Sequence, residues 1–557
     1  MSTRLCESIA FKQFANVLKP KFKTPGAARV NSLIGAKMDM AKQKLKEIIK
    51  DARKLTLCVD GWSKTGLTAS FMGVSACFYH PARGQVHHAL LNLHQLEHPH
   101  TGESIAHCID RTLDAWGIGE DKVLLIVTDN GSNIVEAVRL LRDTKREQSH
   151  ESDGAVSQAQ PRGVGDEQDE MWMESEGSDE EDEDEEETEI GGVELDLPED
   201  GENNKFQRMP CLAHSLQLTL KDAMKHTNVH SVITKARKLV HTVRKSSAAN
   251  EELIKRCGKT LVRDCSTRWN STFDMLRRLL ETSAELNQLL ENFGMDTLLT
   301  SDWAKLENLV KLLEPFAVHT DQLQSDSQSL SRVVPCLLNL EAHLLMTAVG
   351  KPLAQILLKS LRERFAGILS PDSIQFDATP AAACLMDPSV SLVLQSPDTV
   401  PLKRASQSFV QNLAAQYHPP SSQYDGATSR TTQTPTGAPL AVLQKYRFLA
   451  SRIEVNVSST NQPNLTDGLL IEMEKYVCDV KQGVFNETPL QFWRSREAVY
   501  PKLAPVALDL VSAPASQAFV ERIFSLCGLL SSGLRNRTTT SLEQRVFLKI
   551  NKKLLLD

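Results

Sequence analysis

The sequence contains no apolar run of 18 or more residues, so no segment is long enough to cross a bilayer as a helix. Its amino terminus, MSTRLCESIAFKQF, lacks the charged start and apolar stretch of a secretory signal. Its 11 cysteines are an odd number without a C-x-x-C pair, which disfavours a disulfide framework and cysteine-rich zinc modules. These absences predict a soluble intracellular protein with reduced thiols and no membrane partner.

The acidic charge is concentrated in one segment of the chain. Between Asp166 and Glu202 there are 21 Asp and Glu residues and no Lys or Arg. Outside this segment the chain has 63 basic and 49 acidic residues, a net charge of +14, although the formal charge of the whole is −7. This surplus favours polyanionic partners, because Lys and Arg gain by displacing counterions from phosphates.

Residues 146–205, which include the acidic segment, are too polar to offset the entropy cost of ordering, so we predict that they are disordered. We interpret them as a solvated spacer. The alternative is an internal polyanion that competes with DNA for the basic remainder of the chain.

Hydrophobic periodicity predicts an α/β region near the amino terminus. Residues 1–53 read as helices with a break at 23–26, and residues 54–145 read as three strands, a helix from Thr101 to Gly117, a fourth strand and a further helix. The predicted strands are LTLCVDGW, SFMGVSACFYH, VHHALLNLHQL and KVLLIV. In this order of elements, reactive groups commonly gather at strand ends near the centre of the sheet.

The rest of the chain is predicted to be mostly helical. We assign residues 206–225 to a continuation of the α/β core, 226–487 to an all-helical domain with a flexible loop at 418–439, and 488–557 to a helical carboxyl-terminal region. No internal repeat of 20 to 50 residues is present, which disfavours a solenoid.

Two aspartates occupy the ends of predicted neighbouring strands. Asp60 lies in CVDGW and Asp129 in TDNGSN, and either alone is as typical of a turn as of a site. Together, two carboxylates could share divalent cations, and hard Mg²⁺ prefers oxygen ligands. Such a site suits phosphodiester cleavage by two metal ions.

Six blocks carry a resemblance to a known family. CVDGW, TDNGSN, RMPCLAHSLQL, CSTRWNST, CLMDP and PASQAFVERIFSLCGLL occur in that order. The chain resembles, over most of its length, the hAT (hobo/Ac/Tam3) transposases and their domesticated relatives with BED-type zinc fingers. The resemblance implies an α/β RNase H-like, retroviral-integrase-like catalytic core interrupted by a large all-α insertion domain, with a helical carboxyl-terminal dimerisation region.

The resemblance also implies a catalytic triad of Asp60, Asp129 and Glu521, holding two Mg²⁺ or Mn²⁺ ions. Glu521 lies in VERIFS, where the family has S-E-R-x-F-S, and Val520 replaces the serine that the family often has. Taken without the family, Glu521 reads as a solvated glutamate on a helix.

Cys211 and His214 match a C-x-x-H element that the family associates with its catalytic core and with handling of the DNA strand. With His226 and His230 they give C-x2-H-x11-H-x3-H, close to the spacing of a zinc finger. We do not identify a zinc finger, because the intervening LAHSLQLTLKDAMK reads as one amphipathic helix without a strand hairpin. Ordinary packing is the other alternative.

Arg268 and Trp269 match the Arg-Trp element of the family, in which the tryptophan stacks on a flipped-out base. A core tryptophan is the alternative. Basic residues between Lys235 and Arg278 favour the DNA interpretation.

The closing segment is rich in large apolar side chains. The resemblance implies that it forms a dimer or larger oligomer, and core of the α/β unit is the alternative. The candidate contact residues are Phe492, Trp493, Phe519, Phe524 and Phe547.

Two functions follow as expectations. The first is a nuclear DNA transposase, or a transposase-derived DNA-binding protein, which cleaves and transfers DNA strands if the triad is active. The alternative is a catalytically silent, dimeric regulator or scaffold with chromatin or transcription partners. The BED finger that usually begins a family member has no counterpart in this sequence, which favours the alternative.

Overall fold

The computed structural model describes residues 3–63, 69–150, 206–265, 269–325, 329–347, 351–417, 468–483, 485–531 and 539–556. Residues 146–205 were predicted to be disordered, but residues 146–150 are helical, and residues 151–205 lie outside the described residues. The loop predicted at 418–439 also lies outside them. The chain divides into a strand-containing unit, Met1–Pro210 with Gln517–Asp557, and a helical unit, Cys211–Ser516. Among the described residues, no helix is long and apolar enough to cross a membrane.

The strand-containing unit begins with helices. A short 3-10 helix, Thr3–Glu7, is followed by α1 (Ile9–Leu18) and α2 (Ala27–Lys50). Ser8 caps α1 by accepting a hydrogen bond from the backbone N–H of Phe11 at 3.3 Å. The predicted break at residues 23–26 is confirmed.

Five strands form one mixed sheet in the order β3-β2-β1-β4-β5. β1, β2 and β3 pair antiparallel, whereas β4 and β5 run parallel to β1. Every residue of β1 and β2 is buried, as expected for strands covered on both faces. The strands are β1 (Leu55–Ser63), β2 (Ser70–His80), β3 (Gln85–Leu96), β4 (Val123–Thr128) and β5 (Arg208–Pro210).

Two helices connect the strands of this sheet. α3 (Gly102–Trp116) begins after Thr101, whose side chain accepts a hydrogen bond from the N–H of Ser104, and ends at Gly117, which has a left-handed φ of 63°. Both signals were read correctly from the sequence. A 3-10 turn, Glu120–Lys122, leads into β4, and α4 (Ser132–His150) follows it.

The helical unit is larger. Its α-helices are α5 (Leu212–Met224), α6 (Thr227–Lys245), α7 (Ser247–Cys257), α8 (Trp269–Glu281), α9 (Ser283–Phe293), α10 (Thr300–Leu323), α11 (Val333–Thr347), α12 (Pro352–Arg364), α13 (Ala366–Leu369), α14 (Thr379–Leu385), α15 (Val400–Tyr417), α16 (Gly468–Gln482), α17 (Pro489–Ser495) and α18 (Leu503–Ser512). Three 3-10 helices, Leu330–Arg332, Ser391–Gln395 and Pro397–Thr399, lie between them.

The limits of the helical unit differ from the predicted ones. Residues 211–225 were assigned to the core, but α5 packs on α12 and α10. Residues 488–516 were assigned to the carboxyl-terminal region, but α17 packs on α18, and α18 packs on α14 and α15. These partners are distant in sequence, so the period of each helix did not reveal them.

The CLMDP block lies at the centre of this unit. Asp387 is fully buried, and its carboxylate accepts hydrogen bonds from the hydroxyl of Ser331 at 2.6 Å and from the N–H of Ser389 at 3.0 Å. The carbonyls of Leu385 and Met386 accept from the hydroxyl of Tyr476 and the indole of Trp493. The block therefore joins α14 to α16 and α17 through satisfied buried polar groups.

The chain returns to the strand-containing unit with α19 (Ala518–Ser531), α20 (Thr539–Ile550) and α21 (Lys552–Leu556). α19 packs on β1 and β2, and α20 packs on β3. Between α20 and α21, the buried amide of Asn551 accepts from the N–H of Leu90 at 3.0 Å and donates to its carbonyl at 2.9 Å. The last helices are thereby attached to the edge strand of the sheet.

A candidate carboxylate site on the central strands

Asp60 is the most buried of the three predicted carboxylates, with 6% of its surface exposed. It lies within β1, opposite Gly73 of β2, and its Oδ1 accepts a hydrogen bond from the N–H of Gly61 at 2.9 Å. Because side chains alternate along a strand, Asp60 and Trp62 share one face of the sheet. The strand therefore holds this carboxylate in a fixed direction.

Asp129 directly follows β4, the parallel neighbour of β1. Cys58 of β1 pairs with Val127 of β4. Asp60 lies two residues after Cys58, and Asp129 lies two residues after Val127. The Oδ1 of Asp129 accepts from the N–H of Gly131 at 3.2 Å, the local turn expected for an aspartate before an Asn-Gly sequence. Adjacent parallel strands thus bring the two aspartates to the same end of the sheet.

Arg208 fixes the turn that carries Asp129, a role that sequence reasoning missed. Its guanidinium donates to the hydroxyl of Thr128 at 2.8 Å, to the side chain of Asn130 at 3.0 Å and to the backbone carbonyl of Asp129. Arg208 begins β5, which pairs parallel with β4. The three-residue length of β5 gave no periodic signal that could have placed this arginine.

Glu521 lies in the first turn of α19, on the helix that packs against β1 and β2. A carboxylate in the first turn of a helix is favoured by the helix dipole. Its neighbour Val520 is buried, and Phe524 stacks on Trp62 with ring centroids 6.1 Å apart and planes 16° from parallel. These apolar contacts fix the end of α19 that carries Glu521.

The three carboxylates interact through their charges. Burial raises the pKa of Asp60 well above its ordinary value, and the negative charges of Asp129 and then Glu521 raise it further. Among the residues that the structure describes, no group of three or more His, Cys, Asp or Glu side chains is arranged to hold a metal ion. The charges of Asp129 and Glu521 nevertheless act on Asp60.

The residues predicted to bind DNA fall in the sequence range of the helical unit, Cys211–Ser516. Arg268 falls outside the described residues. Trp269 begins α8, is 5% exposed and has its ring 6.2 Å from that of Phe273. This position corresponds to the alternative of a core tryptophan. A base could stack on the ring only if the Trp269 side chain moved out of its buried position.

Cys211 and His214 lie at the beginning of α5, in the helical unit. Cys211 is the residue before the helix and is buried, whereas His214 is half-buried. His226 precedes the next helix, α6, so the four residues of the finger-like spacing are distributed over two helix starts.

Many basic residues between 235 and 278 are neutralised within the helical unit. Such pairs leave less free positive charge for DNA than the sequence suggests, and each exposed pair adds only about 0–1 kcal/mol of stability. The ion pairs, with their N–O distances, include Lys235 with Asp302 at 2.8 Å, Arg237 with Asp264 at 2.8 Å, Lys259 with Glu281 at 2.9 Å, and Arg277 with Asp274 at 2.8 Å.

Four of the five aromatic residues predicted to contact another subunit are covered within the single chain. Phe492 and Trp493 are buried in the helical unit, and Phe524 and Phe547 in the strand-containing unit. Phe519 is half-buried, with its ring 4.9 Å from that of His88. The four buried rings occupy the intrachain core, so a subunit interface would need other side chains of the same region.

Three family comparisons match this chain. Residues 58–155 match the ZBED1 RNase-like domain, residues 209–312 match the ZBED1 RNase-like helical domain, and residues 472–549 match the hAT family C-terminal dimerisation region. The first match contains Asp60 and Asp129, and the third contains Glu521.

Several curated proteins are similar to the chain at low identity. Zinc finger BED domain-containing protein 4 of Homo sapiens is 22% identical over 400 residues, 69% of this chain and 32% of that protein. Zinc finger BED domain-containing protein RICESLEEPER 3 of Oryza sativa subsp. japonica is 20% identical over 536 residues, 92% of this chain and 62% of that protein. The putative transcriptional regulator tpeD of Talaromyces stipitatus is 22% identical over 532 residues, 90% of this chain and 54% of that protein.

The chain thus spans from about a third to somewhat under two thirds of the length of these relatives. The three matched regions occur along the chain in the same order as the sequence blocks that carried the family resemblance. The chain is a relative of the hAT-type and BED-type zinc finger proteins.

Proposed function

We propose that the chain is a hAT-type transposase or a transposase-derived DNA-binding protein, with an RNase H-like core and self-association through its carboxyl-terminal region. The observation that carries the catalytic part is the convergence of three carboxylates, in which the charges of Asp129 and Glu521 raise the pKa of Asp60. The hAT dimerisation match supports self-association, and the BED-type and transcriptional-regulator relatives support DNA as partner and the nucleus as location.

The donor set fits hard divalent cations. Asp60, Asp129 and Glu521 offer only oxygen ligands, and a cation would offset the mutual repulsion that raises the pKa of Asp60. We propose that these three side chains hold two Mg²⁺ or Mn²⁺ ions. When bound, such ions activate the attacking oxygen and stabilise the leaving oxygen of a phosphodiester.

The protein's own groups orient the site. The N–H of Gly61 holds one oxygen of Asp60, and Arg208 holds the turn that presents Asp129. Val520 and Phe524, which lie on either side of Glu521 in the sequence, pack against the sheet at Gly73 and Trp62. The proposed reaction is hydrolysis of one DNA strand at an element end, followed by attack of the new 3′-hydroxyl on the other strand.

A nicking assay tests this proposal. Hairpin or terminal-repeat DNA is incubated with the protein and Mg²⁺ or Mn²⁺, and Asp129→Asn is compared with the wild type and with the exposed Asp114→Asn as a matched control. We expect cleavage by the wild type and by Asp114→Asn, and a loss of at least about 100-fold in Asp129→Asn. Cleavage that is unchanged in Asp129→Asn would exclude the triad.

A second candidate function is a catalytically silent dimeric regulator or scaffold with chromatin or transcription partners. It is favoured by the relative named as a putative transcriptional regulator. Equal DNA binding by the wild type and Asp129→Asn, with cleavage by neither, would select this candidate.

A further inference from the structure

A glycine stands where the central sheet meets the helix that carries Glu521. Gly73 lies within β2, whose residues are all buried, and pairs with Asp60. Glycine inside a strand is unfavourable by roughly 0.5–1 kcal/mol relative to alanine, and it often marks a close approach by another segment. The strand alone does not explain a glycine at this position, which points to a segment that packs closely against it.

The approaching segment is α19. A Cβ on Gly73 would lie 2.9 Å from Cγ1 of Val520 and 3.2 Å from two ring carbons of Phe524. Real Cβ atoms essentially never have contacts below 3.0 Å, so a side chain here would displace its neighbours. Val520 and Phe524 lie on either side of Glu521 in the sequence.

Neither neighbour has room to move alone. Val520 is fully buried, and the ring of Phe524 is stacked on that of Trp62, which is itself buried. Because a packed core transmits such strain, relief would come from lifting the beginning of α19 from the sheet.

We propose that Gly73 is a positioning residue for Glu521: its missing side chain lets the start of α19 lie directly on β2, beside Asp60. The inference deepens the proposed function and rests on it for its catalytic consequence. The positional part concerns only how closely α19 lies on the sheet.

The test is Gly73→Ala in the whole 557-residue chain. Its crystal structure is expected to show the start of α19 displaced from β2 relative to the wild type. A displacement of about 1 Å can lower a rate about 100-fold, so kcat for DNA nicking should fall by that order, whereas KM for DNA should not change. The double variant Gly73→Ala/Val520→Ala removes the 2.9 Å contact and should recover most of the lost kcat.

Val74→Ala is the matched control. Val74 is a buried neighbour in β2 whose side chain points to the other face of the sheet, so its truncation lowers stability without touching α19. It should lower the melting temperature and leave kcat at 25 °C unchanged. Loss of kcat in Val74→Ala equal to that in Gly73→Ala would show that Gly73 matters only for stability, and would overturn the inference.

The two proposals can fail separately. If the wild type does not cleave DNA but α19 is displaced in Gly73→Ala, the proposed function fails and the positional role of Gly73 stands. If α19 keeps its wild-type position in Gly73→Ala, the inference fails whatever the activity of the wild type.

Discussion

At the scale of single residues, the carboxyl group of Asp60 carries a cost that should be measurable. Its pKa is raised by burial, by Asp129 and by Glu521, above the ordinary value of 3.8. The folded chain therefore binds this proton at pH values at which the unfolded chain has lost it. The contribution of this group to the free energy of unfolding is therefore largest below pH 3.8. It decreases as the pH rises from 3.8 to the raised pKa of the folded state.

Asp60→Asn should therefore stabilise the metal-free protein at neutral pH. The asparagine keeps an oxygen for the N–H of Gly61 and carries no charge, so the fall in stability with rising pH should become smaller. A difference of one pH unit between folded and unfolded pKa values corresponds to about 1.4 kcal/mol. Thermal unfolding in EDTA, from about pH 4 to about pH 8, measures the effect.

The control for this prediction is Asp114→Asn, at an exposed position in α3, which should leave the pH dependence unchanged. Adding Mg²⁺ or Mn²⁺ should then raise the melting temperature of the wild type more than that of Asp60→Asn. A metal-free Asp60→Asn that is no more stable than the wild type at pH 7 would contradict the charge interaction described above.

At the scale of elements, β1 to β4 could be predicted from the sequence. The short strand β5 and the helix that packs on the sheet could not. Residues 54–128 contain four strands with strong apolar character, and β1 to β4 lie where the sequence placed them. β5 is too short to show a period, and the approach of α19 to Gly73 joins residues more than 400 positions apart. The family resemblance supplied Glu521, because no local pattern connects this helix to the sheet.

The attachment of the last helices to β3 gives a second prediction. In Asn551→Leu, the buried N–H and carbonyl of Leu90 lose their partner, at a cost of about 2–4 kcal/mol for the two groups. Hydrogen exchange at the Leu90 amide should accelerate on the order of 30-fold or more, since local opening becomes easier.

Lys552→Leu, at the exposed next position, is the control and should leave this exchange rate near that of the wild type. Unchanged protection of Leu90 in Asn551→Leu would mean that packing of α20 on β3 suffices to hold this edge. Local exchange is the appropriate measurement, because a chain with two compact units need not unfold in a single transition.

At the scale of the whole molecule, the matched dimerisation region is divided between the two compact units. Residues 472–516 belong to the helical unit, and residues 517–549 to the strand-containing unit. The sequence treated this region as one closing segment from residue 488, because its aromatic residues are close together along the chain. Most of those aromatic side chains are buried within the two units. A high density of apolar residues in the sequence therefore does not distinguish a core segment from a subunit interface.

Self-association is best tested at an apolar side chain of the matched region that remains at the surface. Leu529, on α19, is 69% exposed. In a two-fold interface a charge there would appear on both copies, so Leu529→Glu should weaken the dimer at least about tenfold. Leu556→Glu is the control, since Leu556 is 74% exposed and lies outside residues 472–549. Mass measured by analytical ultracentrifugation should shift to the monomer for Leu529→Glu alone, and a dimer of unchanged affinity would place the interface away from this face of α19.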